Sequence, residues 1–366
     1  MNTFEERCMT RAISLAKQGE GKTHPNPLVG AVLEKDGKII GEGFHREYGN
    51  LHAEREALLD CKARGNSAKG ATLFVTLEPC CHFGKQPPCT QAIIESGIKK
   101  VVVASQDPNP LIAGKGIDEL RAHKIEVVEG VLKNESNSLN EIFFHYITKK
   151  TPFVALKYAM TADGKIATKT GASKWITNEC ARKFVHELRN KFSSILVGNE
   201  TVVRDNPRLT CRIENGKNPV RIVCDTHGKF PLDCELAKTA NEVRTIVACA
   251  EIADEKKRAL ETLGVERMVV SKDENGKINL NEVLQKLAAE KIDSVLVEGG
   301  AAINFSFLEQ KLAQKIYCFV GGKIFGGKAK SAVEGCGIEN VSDAFCLRLQ
   351  GTKNFGDDIL LEYEVN

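Results

Sequence analysis

The stretch "EPCCHFGKQPPC", residues 78–89, gathers three cysteines, a histidine and two adjacent prolines directly behind the apolar run "ATLFVTL" at 71–77. A short apolar run bounded by turn residues reads as a buried strand. The cluster therefore begins where a strand ends. Upstream, "LHAERE" at 51–56 opens a helical segment that stops at Gly65. Thiolate and imidazole are favoured zinc ligands, and a catalytic zinc takes three protein ligands while keeping one position for water. His52, Cys80 and Cys89 offer such a set. Both cysteines are expected near helix starts, where backbone N–H groups favour thiolate. Two alternatives stand beside this reading. One is a closed structural site with Cys81 or His82 as fourth ligand. The other is three merely buried cysteines.

A His-x-Glu followed by Pro-Cys-x-x-Cys marks the zinc nucleobase deaminases. His52-Ala53-Glu54 and Pro79-Cys80 fit it, but eight residues, not two, separate Cys80 from Cys89. In that chemistry zinc makes hydroxide available near neutral pH. Glu54 stays off the metal and carries a proton from water to departing ammonia. The closed site leaves Glu54 unexplained, and adjacent cysteines chelate one tetrahedral ion poorly. The other ten of the thirteen cysteines are scattered and read as small buried or half-buried residues.

The 366 residues exceed one typical core, so two domains are expected, 1–149 and 150–366, with the boundary near Lys149–Thr151. Both parts alternate helix and strand signals, the mark of α/β architecture. In the first, "LVGAVLEKDGKIIGEGFH" is two strand-like runs around an Asp36-Gly37 hairpin turn. The segment 134–152 reads as polar, then amphipathic, then basic. In the second, strands are expected at "FVALKYAM", "SSILVGN", "VRIVCD", "TIVACA", "RMVVS", "SVLVEGG" and "IYCFVGGKIFG". A net charge of +3 and a single Trp argue against a nucleic-acid partner. No run reaches the length of a membrane span and no export signal is seen, which points to the cytoplasm and no membrane partner. The second part has no Gly-x-Gly-x-x-Gly after its first strand. Instead "SVLVEGGAAINFSFLEQ" at 294–310 runs from a buried strand through Gly299-Gly300 into a helix, whose N-terminus suits a phosphate.

With "HPNPLVGAV" at 24–32, "GFHREYGNLHAE" at 43–54 and "QDPNPLIAGKGI" at 106–117, the first part resembles the bifunctional riboflavin-biosynthesis proteins, a pyrimidine deaminase fused to a reductase. The resemblance implies His52, Cys80 and Cys89 on one zinc, Glu54 as proton shuttle, and no ligand role for Cys81. It implies a substrate pocket with Asn26 and His45, and with His82 and Lys85 in the inserted loop. "ALKYAMTADGKIAT", "GASKWIT", "HELRNKFSSILVGNETVVRDNPRLTCR" and "GGKIFGG" resemble the reductase half of that family. Thr161 stands where the family commonly has Ser. The implied architecture is a cytidine-deaminase-like three-layer domain followed by a dihydrofolate-reductase-like domain that uses NADPH. Implied cofactor residues are Ala159, Trp175, Thr201, Asp205, Thr226 and the run Gly300, Ala301, Ala302, Ile303, Asn304, Phe305 and Ser306. Implied substrate residues are Ser173, Arg189, Leu209, Arg212 and Glu298, with the guanidiniums suited to phosphate and Glu298 to ribose hydroxyls. Lys157 is a candidate to stabilise charge as the ribose is reduced. Its plain alternative is a sheet-edge lysine, and that of Trp175 a core anchor.

The expected activity is hydrolytic deamination of a phosphoribosylated diaminopyrimidinone, followed by NADPH-dependent reduction of its ribose to a ribityl chain. Two rivals remain at this point. One is a nucleic-acid deaminase with an accessory domain. The other is a zinc-stapled nucleotide sensor without catalysis. The strand-rich end of the second part is expected to pair between chains, giving a homo-oligomer.

Overall fold

In β1 (Gly30–Lys35), β3 (Thr72–Leu77) and β4 (Lys100–Ser105), successive side chains go to opposite faces, and both faces are buried. Ala31, Leu33, Leu73, Val75, Val101 and Val103 meet one set of helices, while Val32, Phe74 and Val102 meet another. Such strands must be covered on both sides. The computed structural model describes residues 3–83, 86–109 and 112–366, and the chain divides into two compact units, Met1–Lys150 and Thr151–Asn366.

Among the described residues, the first unit carries a five-stranded sheet ordered β2-β1-β3-β4-β5, with β2 at Lys38–Phe44 and β5 at Glu126–Glu129. β1 is antiparallel to β2 and β3, whereas β3, β4 and β5 are parallel. The Asp36-Gly37 turn joins β1 and β2 with φ of 51° and 77°, the two left-handed residues of a type I′ hairpin. One face is covered by α1 (Phe4–Ala16), through Met9, Ala12 and Ile13. The other is covered by α2 (Ala53–Ala63), α3 (Cys89–Glu95) and α4 (Lys115–Ala122), through Ala57, Cys61, Ile93 and Leu120. The polar-to-basic segment 134–152 is not a plain linker. It forms α5 (Lys133–Leu139) and α6 (Glu141–Lys149), because Asn140 between them exchanges two hydrogen bonds with the Leu28 backbone, at 2.8 and 2.9 Å.

In the second unit a nine-stranded sheet has the order β10-β9-β8-β7-β11-β6-β12-β14-β13. Its parallel members are β6 (Phe153–Thr161), β7 (Ser194–Gly198), β8 (Val220–Cys224), β9 (Thr245–Cys249), β10 (Glu266–Val269), β11 (Ser294–Val297) and β12 (Lys315–Gly321). β13 (Leu347–Phe355) and β14 (Asp358–Val365) close one side as an antiparallel hairpin turning at Gly356. One face packs on α11 (Leu280–Ala289) and α12 (Ala301–Glu309). The other packs on residues of α8 (Asn199–Asp205), α9 (Glu235–Lys238) and α10 (Asp254–Thr262). α7 (Glu179–Lys191) leads into β7 and is capped by the Asn178 side chain.

The strand expected at 316–326 is shorter than its apolar run. β12 ends at Gly321, because Asp163 takes the N–H groups of Phe325 and Gly326 at 3.2 and 2.7 Å and folds 322–327 back. Among the described residues, no helix is long and apolar enough to cross a membrane.

Gly30 is where α1 meets the sheet. A Cβ there would lie 1.9 Å from the Ala12 carbonyl oxygen, a backbone atom that cannot rotate away. Overpacking of this kind costs about 1–3 kcal/mol. Gly30→Ala is therefore expected to lower the urea midpoint of the first unit and leave that of the second unchanged. An unaltered midpoint would show that α1 slides freely on the sheet.

Candidate functional sites

His52 is the N-cap of α2 and Cys89 the first residue of α3, so two helix N-termini converge on one point. Cys80 comes from the loop behind β3, not from a helix start as the sequence suggested. Its Sγ and that of Cys89 each lie 3.4 Å from His52 Nδ1, and the three ligand atoms all fall within 4.8 Å of one another. Zinc bonds of about 2.3 Å to sulfur and 2.0–2.1 Å to nitrogen, at a tetrahedral angle, place those atoms about 3.5 Å apart. The donor set and its spacing thus fit zinc. A hydrogen bond from the Cys89 thiol, aided by His52 and the Cys89 N–H, holds the Cys80 thiol well below its usual range despite burial. Cys81 is not part of the group, and no fourth protein ligand joins it among the described residues.

Glu54 stands in the first turn of α2 and is buried, which, with the Cys80 charge, pushes its carboxyl up to about 6. A carboxyl near neutrality can both take and release a proton. A cavity of about 330 Å³ opens beside it, lined among others by Asn26, His45, His52, Cys80, His82 and Asp107. His45 is fixed: Nδ1 sits 2.9 Å from the Leu51 carbonyl and Nε2 3.2 Å from the Asn26 amide nitrogen. The carbonyl must accept, so the proton is on Nδ1 and the Asn26 amide donates to Nε2. Lys85 lies outside the described residues.

Glu78 carries part of this site and was quoted in the sequence without a role. Its buried carboxylate accepts from the N–H groups of Asp107, Gly114, Gly116 and Ile117, at 3.1, 3.0, 2.9 and 3.4 Å. It pins Asp107, at the start of the loop that leads into α4, beside the cavity. The available signal was a carboxylate at the end of a buried strand, which requires nearby donors, with Gly114 and Gly116 downstream. Gly116 has no room for a Cβ, which would meet the Pro79 carbonyl oxygen at 2.1 Å.

In the second unit, a cavity of about 360 Å³ lies at the carboxyl ends of the parallel strands. It brings together Trp175, Arg189, Thr201, Asp205, Leu209, Arg212 and Glu298 from four separate segments. Glu298 follows β11. Burial alone would raise its carboxyl, but Arg189 and Lys157 outweigh that and hold it at about 2. Arg189 Nε and Nη2 reach its oxygens at 2.7 and 3.0 Å, and Lys157 Nζ reaches one at 3.3 Å. Lys157 is therefore no sheet-edge lysine, since β6 lies between β11 and β12. Arg189 also donates to the Thr210 carbonyl at 3.0 Å. With its guanidinium so committed, Arg212 is the more available phosphate donor. Trp175 is 60% exposed with Arg182 over its ring at 4.4 Å, which removes the core-anchor reading.

Other implied residues are not among those lining this cavity. Ala159 lies on β6 beside Phe319, and Ser173 is half-buried in the loop before Trp175. The Thr226 hydroxyl accepts from the Ile278 N–H at 3.2 Å. In the Gly300–Ser306 run, Gly300 is the N-cap of α12 and no side chain caps that end. A Cβ on Gly300 would meet only Thr201 Oγ1, at 3.7 Å, so a phosphate can approach the backbone at this helix start, whereas the Ile303 N–H is taken by the Gly300 carbonyl. Asn304 instead donates to the Ala332 carbonyl, Phe305 is buried, and Ser306 bonds back to Ala302.

A buried carboxyl beside a His-Cys-Cys group, facing a cavity with a fixed amide and imidazole, defines the zinc-dependent nucleobase deaminase class. Here it is joined to a second α/β unit with its own charged cleft. Residues 2–105 match the cytidine and deoxycytidylate deaminase zinc-binding region, and residues 152–361 match the RibD C-terminal domain. The chain is 51% identical to the riboflavin biosynthesis protein RibD of Actinobacillus pleuropneumoniae, over 98% of this chain and 94% of that one. With RibD of Aquifex aeolicus the identity is 44%, over 99% and 98%. Its fold superposes on the Thermotoga maritima diaminohydroxyphosphoribosylaminopyrimidine deaminase/5-amino-6-(5-phosphoribosylamino)uracil reductase with a TM-score of 0.88, at 43% identity and 99% coverage of both. The chain belongs to the RibD family of bifunctional riboflavin biosynthesis enzymes, a deaminase followed by a reductase.

Two outcomes follow from the carboxylates. Glu78→Gln turns an acceptor of four N–H bonds into a group that must present two of its own hydrogens. Losing one or two such bonds, at about 1–3 kcal/mol each, speeds amide exchange about tenfold or more. Hydrogen exchange at Asp107, Gly114 and Gly116 is expected to rise while zinc content holds. Unchanged protection there would deny Glu78 this role. For Glu298, a folded pKa of about 2 against an ordinary 4.5 means the stabilisation is present above 4.5 and is lost as pH falls toward 2. The loss is roughly 3 kcal/mol over that window. Glu298→Gln is expected to flatten the acid limb of the second unit's unfolding curve and to lower its stability at pH 7, because two cations are left buried. An acid limb identical to that of the native chain would contradict the assignment.

Proposed function

We propose that the first unit hydrolytically deaminates a phosphoribosylated diaminopyrimidinone and that the second reduces the ribose of the product to a ribityl chain. The observation that carries this reading is Glu54, buried beside the three ligand atoms and open to a cavity of about 330 Å³. When bound, zinc supplies hydroxide near neutral pH and NADPH supplies hydride. His52, Cys80 and Cys89 would hold the metal. Glu54 takes the proton of the attacking water and delivers it to the departing ammonia. Asn26 and the Nδ1-protonated His45 orient the pyrimidine and its ribose, and the phosphate falls to His82 and, by the family resemblance, Lys85.

In the second unit Arg189 keeps Glu298 ionised, and the carboxylate accepts from ribose hydroxyls with its remaining lone pairs. Lys157 offers positive charge to the ring oxygen as the ribose opens. Arg212 takes the phosphate, with Ser173 and Leu209 closing the substrate side. Trp175, Thr201, Asp205, Ala159, Thr226 and the N-terminus of α12 form the cofactor side. Each unit holds its own ionisable machinery, which argues against the sensor rival. A net charge of +3 and a lone Trp argue against the nucleic-acid one.

We place the chain in a reducing compartment, the cytoplasm, on its thirteen cysteines, all free thiols. A homo-oligomer is proposed on the edge strand β13, where Leu349 is 53% exposed beside unpaired backbone. Sedimentation velocity giving only monomer would end that reading.

The test of the two activities is mass spectrometry of the pyrimidine after incubation with zinc-loaded protein. Exchange of amino for oxygen without NADPH, and two added hydrogens only with it, are expected. Glu54→Gln should retain zinc and lose deamination by at least about 100-fold. Deamination surviving in that variant would remove Glu54 from the mechanism.

A further inference from the structure

His186 lies on α7, one helical turn before Arg189, and nothing in the family resemblance gave it a role. Its Nε2 is 3.2 Å from Nε of Arg212. The arginine nitrogen is always a donor, so the imidazole must be the acceptor and its proton must sit on Nδ1. Burial, then the Arg189 and Arg212 charges, push the imidazole down to about 4, which keeps it neutral and accepting. The same helix face grips the whole loop that carries Arg212. The His186 carbonyl accepts from the Cys211 thiol at 3.4 Å, Arg189 Nη1 donates to the Thr210 carbonyl at 3.0 Å, and Asn190 Oδ1 accepts from the Lys217 N–H at 2.9 Å. Inside the loop the Asn218 side chain accepts from the Cys211 N–H at 2.9 Å.

An exposed arginine ordinarily samples many rotamers, and fixing one costs about 1.5–2 kcal/mol of side-chain entropy. Arg212 is held at its Nε, the nitrogen where the stem joins the fork. Its two terminal nitrogens then form an end-on pair directed as one unit, the geometry that binds a phosphate in bidentate fashion. The hydrogen bond to His186 thus does in advance what the ligand would otherwise have to do on binding.

We propose that His186 is a positioning residue of the reductase unit, a neutral acceptor that aims Arg212 at the phosphate of the substrate. This rests on the reading of Arg212 as the phosphate donor. It predicts an effect on binding and little on the chemical step, because Arg212 touches a remote group and not the reacting carbon.

The test uses the full zinc-loaded chain with NADPH and the deaminated phosphoribosyl substrate, with inorganic phosphate as a competitive inhibitor. His186→Phe keeps the ring and removes the acceptor. His186→Gln restores an acceptor near the same place. Arg212→Ala and the double variant complete a cycle. Loss of the aiming bond is expected to raise KM and the phosphate inhibition constant about tenfold in H186F, with kcat within about twofold. H186Q should recover most of that loss, and H186F should add nothing once Arg212 is Ala. Were H186F to lower kcat at unchanged KM, or to raise KM equally in the R212A background, His186 would not act through Arg212. An R212A variant with native KM and native phosphate inhibition would instead overturn the phosphate reading itself, and this inference with it.

Discussion

Parallel strands carry their carboxyl ends and the N-termini of the following helices to one edge, and the chemistry of this chain is built there. At that edge unpaired N–H groups point outward, and the positive ends of helix dipoles gather. Groups that are costly to bury as anions become tolerable. In the first unit Cys89 opens α3 and donates its thiol hydrogen to the Cys80 sulfur, and the Glu78 side chain rests on the turn leading into α4. In the second, Glu298 follows β11 and is neutralised instead by Arg189 and Lys157. Each unit thus satisfies the acceptor oxygens of a buried acidic side chain, one with backbone donors and the other with cations.

The two solutions differ in what they make possible. Glu78 is met by four backbone N–H groups and serves to shape a loop. Glu298 sits between two cations and keeps an acceptor surface toward the cleft. Glu54, near neither set, stays within reach of protonation. Glu54 and Glu298 are thus shifted in opposite directions, a difference fixed by which elements end beside them and not by the residue type.

The sheets were legible because both faces of most strands are buried, leaving long Val, Ile and Leu runs with sharp glycine and proline ends. The metal ligands were legible because thiols and imidazole are rare and their order along the chain is restrictive. What escaped the reading lacked such contrast. β13 faces outward along most of its length and shows no apolar alternation. α5 and α6 depend on Asn140, whose bonds reach Leu28 across the unit. Cys80 lies in a loop, and its carbonyl accepts from the N–H groups of Cys89 and Thr90, at the start of the next helix. Lys157, Arg189 and Glu298 are separable by type alone, but their mutual pairing sets which of them can meet a ligand. That pairing joins residues more than one hundred positions apart.

Trp175 ends as the sole indole of the chain, standing outside the core in the wall of the second cleft, under the Arg182 guanidinium. Its emission has one source and one location. A reduced nicotinamide absorbs where indole emits, so a dinucleotide seated in that cleft would quench this fluorescence by energy transfer, whereas a ligand confined to the first unit need not. The fold has thereby given the protein an optical reporter that distinguishes occupancy of one centre from occupancy of the other without any label.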